Sequence, residues 1–506
     1  MRKSTSSQAG YLSLAALRLV GILFFCGVFG RCWQSTAWAA RAATETPDVP
    51  AHALTVIKDP VSPTSPSFLF LRGVPHVLVL TQYEDYWIRP LKSTEATLPI
   101  AKGNLERAFR AGSGDIGKGD TVSFGIKAVD GDGGAYAHVC VYHTRRNADQ
   151  SRFVAKFDLL SGRMVWRRIT KGVYRVRDEM GSFRTTPSPS RMVVADRALY
   201  VLDSKLQLYR FNRGTGALAW VRRVPGVTWM RGADIAVTQR GVLVIGTDRE
   251  RVLTFRCDAT GRNGVTAFVP GWQGARQRHI DFAAHVSPLS IDTDGSAYFT
   301  RTGWETSTLY RIKPGGTPTI VYEIRAADIA AHNAPTLSQP ILSGDRVFIA
   351  AVESSDFESL SAPTSGRLIA LNKVSGGKVW EASVGVSDPG RSFPGFPATI
   401  NYAADALSSA AGSGRILWVT QQGTLVCFDA ERGTPLFRWR PGPLTGVADL
   451  PRQEPNELWI TGEVIASEGR LLVLACDIGV PGKEGGKGWQ VVYELPRIPP
   501  VRNVAK

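Results

Sequence analysis

Residues 368–385 read LIALNKVSGGKVWEASVG. An apolar run at period two, Leu368 to Leu371, meets a corner from Asn372 to Gly376, and a second run opens with Trp380 four residues after the Gly. The Asn side chain can bond backbone a residue or two ahead and Gly accepts a positive φ without steric penalty, so the pair reverses the chain. The alternating β-branched and aromatic residues on either side make both flanks strands. Each such unit closes with a hairpin.

The corner recurs. Written as Asp or Asn, three residues, Gly, three residues, then Trp or Phe, it falls at Asp158, Gly162 and Trp166, at Asn212, Gly216 and Trp220, at Asn372, Gly376 and Trp380, and at Asp429, Gly433 and Phe437. The gaps are about 54, 160 and 57 residues, and the long one holds three steps of roughly 53. Two weaker copies fill it: residues 257–261, one residue shorter, and 309–316. A period near 50 built from strands alone specifies an all-β fold, a β-propeller of seven or eight four-stranded antiparallel blades, eight preferred. The ring spans 67–495, behind an extended Pro-rich lead-in at 41–66 and before a short tail at 496–506.

In such a ring the corners join the third and fourth strands on one face. Second-to-third and blade-to-blade loops lie on the other, and here they are long at 171–187, 271–285, 353–366 and 385–397. Long loops on a rigid scaffold carry function, so that face is the candidate recognition surface. The closing blade is expected to pair both ends of the chain and leave no free edge.

Residues 1–40 read as a secretory signal: Arg2, Lys3 and Arg18, an apolar run from Leu19 to Gly30, and small residues at Ala37, Ala39 and Ala40. Cleavage near Ala39 and Ala40 sends the protein to the periplasm or the exterior; the alternative is an uncleaved anchor with Arg18 inside it. Without the leader the net charge falls from +16 to +12. Paired cations follow the key aromatic at Arg167 and Arg168, Arg222 and Arg223, and Arg438 and Arg440. They read either as charges that blunt outer strand edges or as a girdle for an anionic surface or polymer.

Other chemistry is thin. Four cysteines follow the leader, Cys140, Cys257, Cys427 and Cys476, in no zinc or CxxC spacing. The repeat places Cys257 inward and Cys427 outward. His52, His76, His138, His143, His279, His285 and His332 form no HExxH; His279, Asp281 and His285 are the densest polar group on a long loop. The Asp292-Thr-Asp294-Gly295 string lacks the distal Glu of a calcium loop and reads as a hairpin turn.

The strings KFDLLSGRMVW, RFNRGTGALAW and ALNKVSGGKVW, with VCFDAERGTPLF as a weaker fourth, resemble the tryptophan-docking repeat of pyrroloquinoline quinone (PQQ)-type β-propellers, roughly ALDxxTGKxxW. The resemblance implies that Trp166, Trp220, Trp380 and Phe437 pack between blades against the corner glycines. Catalytic members of that family hold the quinone and a calcium ion with Glu, Asn and Asp ligands, which no motif here supplies, and many carry a disulfide of adjacent cysteines, absent from this chain. Non-enzymatic members use the ring as an interaction platform. The expectation is therefore a monomeric, exported, non-catalytic protein-binding module needing no cofactor, metal or specific nucleic acid. A PQQ- and calcium-dependent dehydrogenase and a carbohydrate or anionic-polymer binder are the alternatives.

Overall fold

The computed structural model describes residues 52–58, 67–80, 84–91, 98–114, 116–143, 150–170, 176–177, 183–184, 191–203, 206–225, 231–239, 241–248, 251–269, 285–303, 305–329, 335–353, 365–384, 408–410, 415–419, 425–439, 458–467, 470–477 and 489–495. The leader and most of the four long loops lie outside them, as do His279, Asp281, His332 and Arg440.

Each repeat folds as an antiparallel meander. In residues 121–169 the strands Thr121–Val129, Gly134–Tyr142, Gln150–Asp158 and Arg163–Ile169 pair strictly in order. Sheets of the same kind cover 67–104, 191–223, 231–269, 285–325, 336–384, 408–439 and 458–495, with the inner strand split in two at 285–291 and at 336–343. Among the described residues that makes eight such sheets beside one two-stranded ribbon, Val176–Arg177 with Phe183–Arg184. First strands of successive sheets run side by side: Thr121–Val129 by Arg191–Ala195, that by Arg231–Thr238, and finally Leu458–Ser467 by Ser67–Leu71. This is the β-propeller arrangement.

His52–Lys58, within the stretch read as a lead-in, is a strand. It pairs antiparallel with Trp489–Leu495, Lys58 opposite Trp489, and becomes the outermost strand of the last sheet. Both ends of the chain thus meet in one sheet.

Because each sheet is covered on both faces by its neighbours, its middle strands lose the in-out alternation of a half-buried sheet. Ala198–Leu202 and Leu425–Asp429 are buried at every position. This corrects the expectation for Cys427, which is fully buried, as Cys257 is. The side away from the local core is here another sheet, not water.

One bulge recurs at the docking aromatic. The third and fourth strands slip register between Lys156 and Phe157, Arg210 and Phe211, Leu309 and Tyr310, Ala370 and Leu371, and Cys427 and Phe428. In each case the residue before the slip faces the docking aromatic: Trp166, Trp220, Tyr322, Trp380 or Phe437. A bulge bends and twists its strand and re-aims a side chain, here toward the next sheet. The corner that is one residue shorter, Asp258 to Gly261, shows no slip in its pairing.

Candidate functional site on the long-loop face

The corner face is given over to holding the ring. Asn212 Oδ1 accepts the Gly214 and Thr215 N–H groups, and Gly216 N–H closes the turn on the Asn212 carbonyl at 2.8 Å. Asp158, Asn372 and Asp429 cap their corners in the same way, with Gly162, Gly376 and Gly433 at φ near +70°. Each docking Trp then leaves its own sheet and sits on the corner of the next. A Cβ on Gly216 would lie 2.6 Å from Trp166, one on Gly261 2.8 Å from Trp220, and one on Gly433 2.5 Å from Trp380. The indole N–H groups donate to the Arg213, Ala259 and Ala430 carbonyls, always the residue after the corner Asp or Asn. Phe437 is buried opposite Cys427.

Two further kinds of contact tie sheets together on this face, one from a Tyr and one from the Arg pairs. Tyr86, from a third strand, donates to the Leu159 carbonyl at 2.8 Å and so serves the first seam, where the repeat lacks its Trp. Arg168 and Arg222, two residues beyond their Trp, donate through Nε to the Gly216 and Gly261 carbonyls at 2.8 and 2.7 Å. Arg167 lies 4.9 Å over the Phe153 ring. The cations after the aromatic are thus partly seam clasps, a role neither charge reading anticipated.

The DxDG string is a turn, with Gly295 at φ +79° and the Ser296 N–H on Asp294. Lys373 Nζ reaches across the seam to both Asp292 oxygens, at 2.8 and 2.9 Å. An ammonium thus occupies the carboxylate that a calcium reading would need.

The other face carries the polar chemistry, over the first two sheets. Among the described residues the helical pieces are the 3-10 turn Ala326–Ile329 and a helix, Leu105–Ala111, which follows the last strand of the first sheet. Asn104 caps it by accepting the Arg107 N–H, and Phe109 is buried edge-on to Phe124 and Phe153. Leu105 and Phe109 at i and i+4 behind an Asn cap are the signal that could have revealed it. The Gly-rich loop that follows is pinned at Asp120, whose Oδ2 accepts the Gly117 N–H and whose carbonyl accepts Arg110 Nη2.

From Asp120 a short relay runs outward. His143 Nδ1 lies 2.9 Å from Asp120 Oδ2, and His143 Nε2 lies 2.8 Å from Ser151 Oγ. The carboxylate side chain is 9% exposed and the imidazole 15%, while Ser151 is part-exposed at the start of its strand. The three residues are far enough apart in sequence that no local motif links them. Glu84, on the second-to-third connection of the first sheet, holds φ +62°. Burial pushes its carboxyl up to about 7, with nearby Glu106 adding to the rise and the Phe124 N–H opposing it. His76 bonds its own strand end at Val74, and His138 lies 3.9 Å from Cys140.

Residues 331–477 match the family model described as outer membrane protein assembly factor BamB. Over these residues the β-propeller is similar to the PQQ-type family. The crystal structure of BamB from Moraxella catarrhalis aligns over 88% of this chain and 100% of its own, at 13% identity and TM-score 0.47. Quinohemoprotein alcohol dehydrogenase ADHIIG from Pseudomonas putida HK5 aligns over 90% and 78%, at 11% and 0.45. Saccharomyces cerevisiae Sqt1 aligns over 88% and 99%, at 11% and 0.46. No curated protein matches the chain. Corner glycines and docking tryptophans close three of its seams.

Proposed function

We propose that this propeller is an exported protein-binding module that holds a partner on its long-loop face. The observation that carries the reading is the division of labour between faces. The corner face is committed to Trp, Arg and Lys contacts between sheets, whereas the opposite face bears the capped helix and the part-buried polar relay. The family match points the same way, since its description is of an assembly factor of the outer membrane. Export rests on the leader and cleavage near Ala39 and Ala40. This role needs no cofactor.

A photo-reactive amino acid placed in turn at Thr121, exposed on the long-loop face, and at Val374, exposed at a corner, tests the reading in cells. A discrete adduct of one partner from Thr121 and none from Val374 is expected. Adducts from the corner alone would overturn the assignment of face. Tight, calcium-dependent PQQ binding with turnover of alcohols or aldoses would replace it with the dehydrogenase reading. Partner capture abolished by moderate salt would favour the anionic-polymer reading.

A further inference from the structure

Asp120, His143 and Ser151 meet at the loop end of one hairpin. His143 directly follows the strand Gly134–Tyr142, and Ser151 is the second residue of the strand Gln150–Asp158, opposite Val141. The imidazole reaches back across the hairpin to the hydroxyl. Asp120, just ahead of the sheet's first strand, lies behind the imidazole.

The two ring nitrogens take distinct roles. A carboxylate can only accept, so Nδ1 must carry the proton that Asp120 receives. In the neutral ring Nε2 is then the acceptor, and the hydrogen bond at 2.8 Å is donated by Ser151 Oγ. The hydroxyl proton therefore already points at the base. Asp120 cannot swing away: its Oδ2 also takes the Gly117 N–H at 2.9 Å, its N–H bonds the Gly117 carbonyl, and its own carbonyl is held by Arg110. Exposure runs in the useful order, with the carboxylate deeper than the imidazole and Ser151 part-exposed. A histidine that merely tied the loop down would need only one of these contacts. Two in series, carboxylate on Nδ1 and hydroxyl on Nε2, are the arrangement that activates a serine.

We propose that Ser151 is a nucleophile toward carboxylic esters presented on the long-loop face, with His143 as its general base and Asp120 as the positioning residue. Ser151 Oγ attacks the acyl carbonyl and its proton passes to His143 Nε2. The tetrahedral adduct collapses with cleavage of the C–O bond, and His143 returns that proton to the departing alkoxide. Water, activated by the same nitrogen, then splits the acyl-serine, giving the carboxylic acid and restoring the hydroxyl. No redox partner is needed. Esters are the class chosen because an alkoxide leaves with less assistance than an amine.

The test uses the full chain and a fluorophosphonate, which reacts with base-activated serines. Expected are one phosphonyl adduct per chain, located on Ser151 by peptide mass spectrometry, and turnover of p-nitrophenyl acetate. Ser151→Ala should remove both, and His143→Gln should slow both by about 100-fold or more. The labelling rate of the parent protein should rise with pH through a single ionisation that His143→Gln removes, a readout that a purely structural histidine would not move. Melting curves of the variants establish that they are folded, and Ser151→Ala deletes only one hydroxyl. No adduct on Ser151 under conditions that label trypsin would overturn the proposal. Labelling indifferent to His143→Gln, or ester turnover unchanged in Ser151→Ala, would do the same.

Discussion

The Trp166 indole N–H donates to the Arg213 carbonyl at 3.2 Å, and its ring lies between Tyr136 of its own sheet and Phe211 of the next, both at 6.3 Å between centroids. Trp166 is 6% exposed, whereas Trp220 and Trp380 remain partly open. Trp166→Ala should therefore cost about 3–5 kcal/mol, the range for a buried aromatic truncation, and Trp220→Ala less. Gly216→Ala meets both a positive φ and the indole, so it should also cost more than about 2 kcal/mol. Part of that loss should vanish in a Trp166→Ala background, because the clash is gone. Urea melts of the four proteins measure this cycle, and strict additivity would disprove the contact.

Arg168 ties the same seam from outside, with Nε on the Gly216 carbonyl and Nη2 on the Thr215 carbonyl at 3.1 Å. Arg168→Met should lower stability by about 1–2 kcal/mol, the size of charged-donor hydrogen bonds at a part-buried site. Since the acceptors are neutral carbonyls, the loss should change little between low and high salt. A large effect on binding to heparin without loss of stability would instead revive the anion girdle.

Lys373 and Asp292 form an ion pair between the fifth and sixth sheets, 9% and 13% exposed. Removing one partner strands the other charge, so Lys373→Met should cost about 3 kcal/mol or more. Lys373→Met with Asp292→Leu should recover much of it. Thermal melts decide: a double variant no better than the single would place the cost in packing.

Glu84 sets a pH dependence opposite to that of a paired carboxylate. Burial raises its folded value to about 7, so between its ordinary range and 7 the folded state holds more protons than the unfolded one. Stability is then fully present at low pH and falls as pH rises through this window. The group is only half-buried, so solvent screening limits the effect to on the order of 1 kcal/mol. Glu84→Gln should flatten the decline between pH 5 and 8, measured as the urea midpoint. A midpoint that still falls equally in the variant would assign the slope to another group.

The repeat, the corner residues and the antiparallel sheets were legible in the sequence because each rests on contacts a few residues apart. An Asp or Asn cap, a positive-φ Gly and a period-two strand are local chemistry, so Asn212 and Gly216 carry their roles in any neighbourhood. What lay across a seam was not. Tyr86 takes the Trp role from a third strand, and Arg168 finds carbonyls that are 47 and 48 residues away. Cys427 is buried only because a second sheet covers its face, and Lys373 meets Asp292 across 81 residues. The same holds for His143, whose partners lie 23 residues before it and 8 after it. Local pattern determined the blade; ring packing decided which side chains meet, because it alone brings distant residues within hydrogen-bond reach.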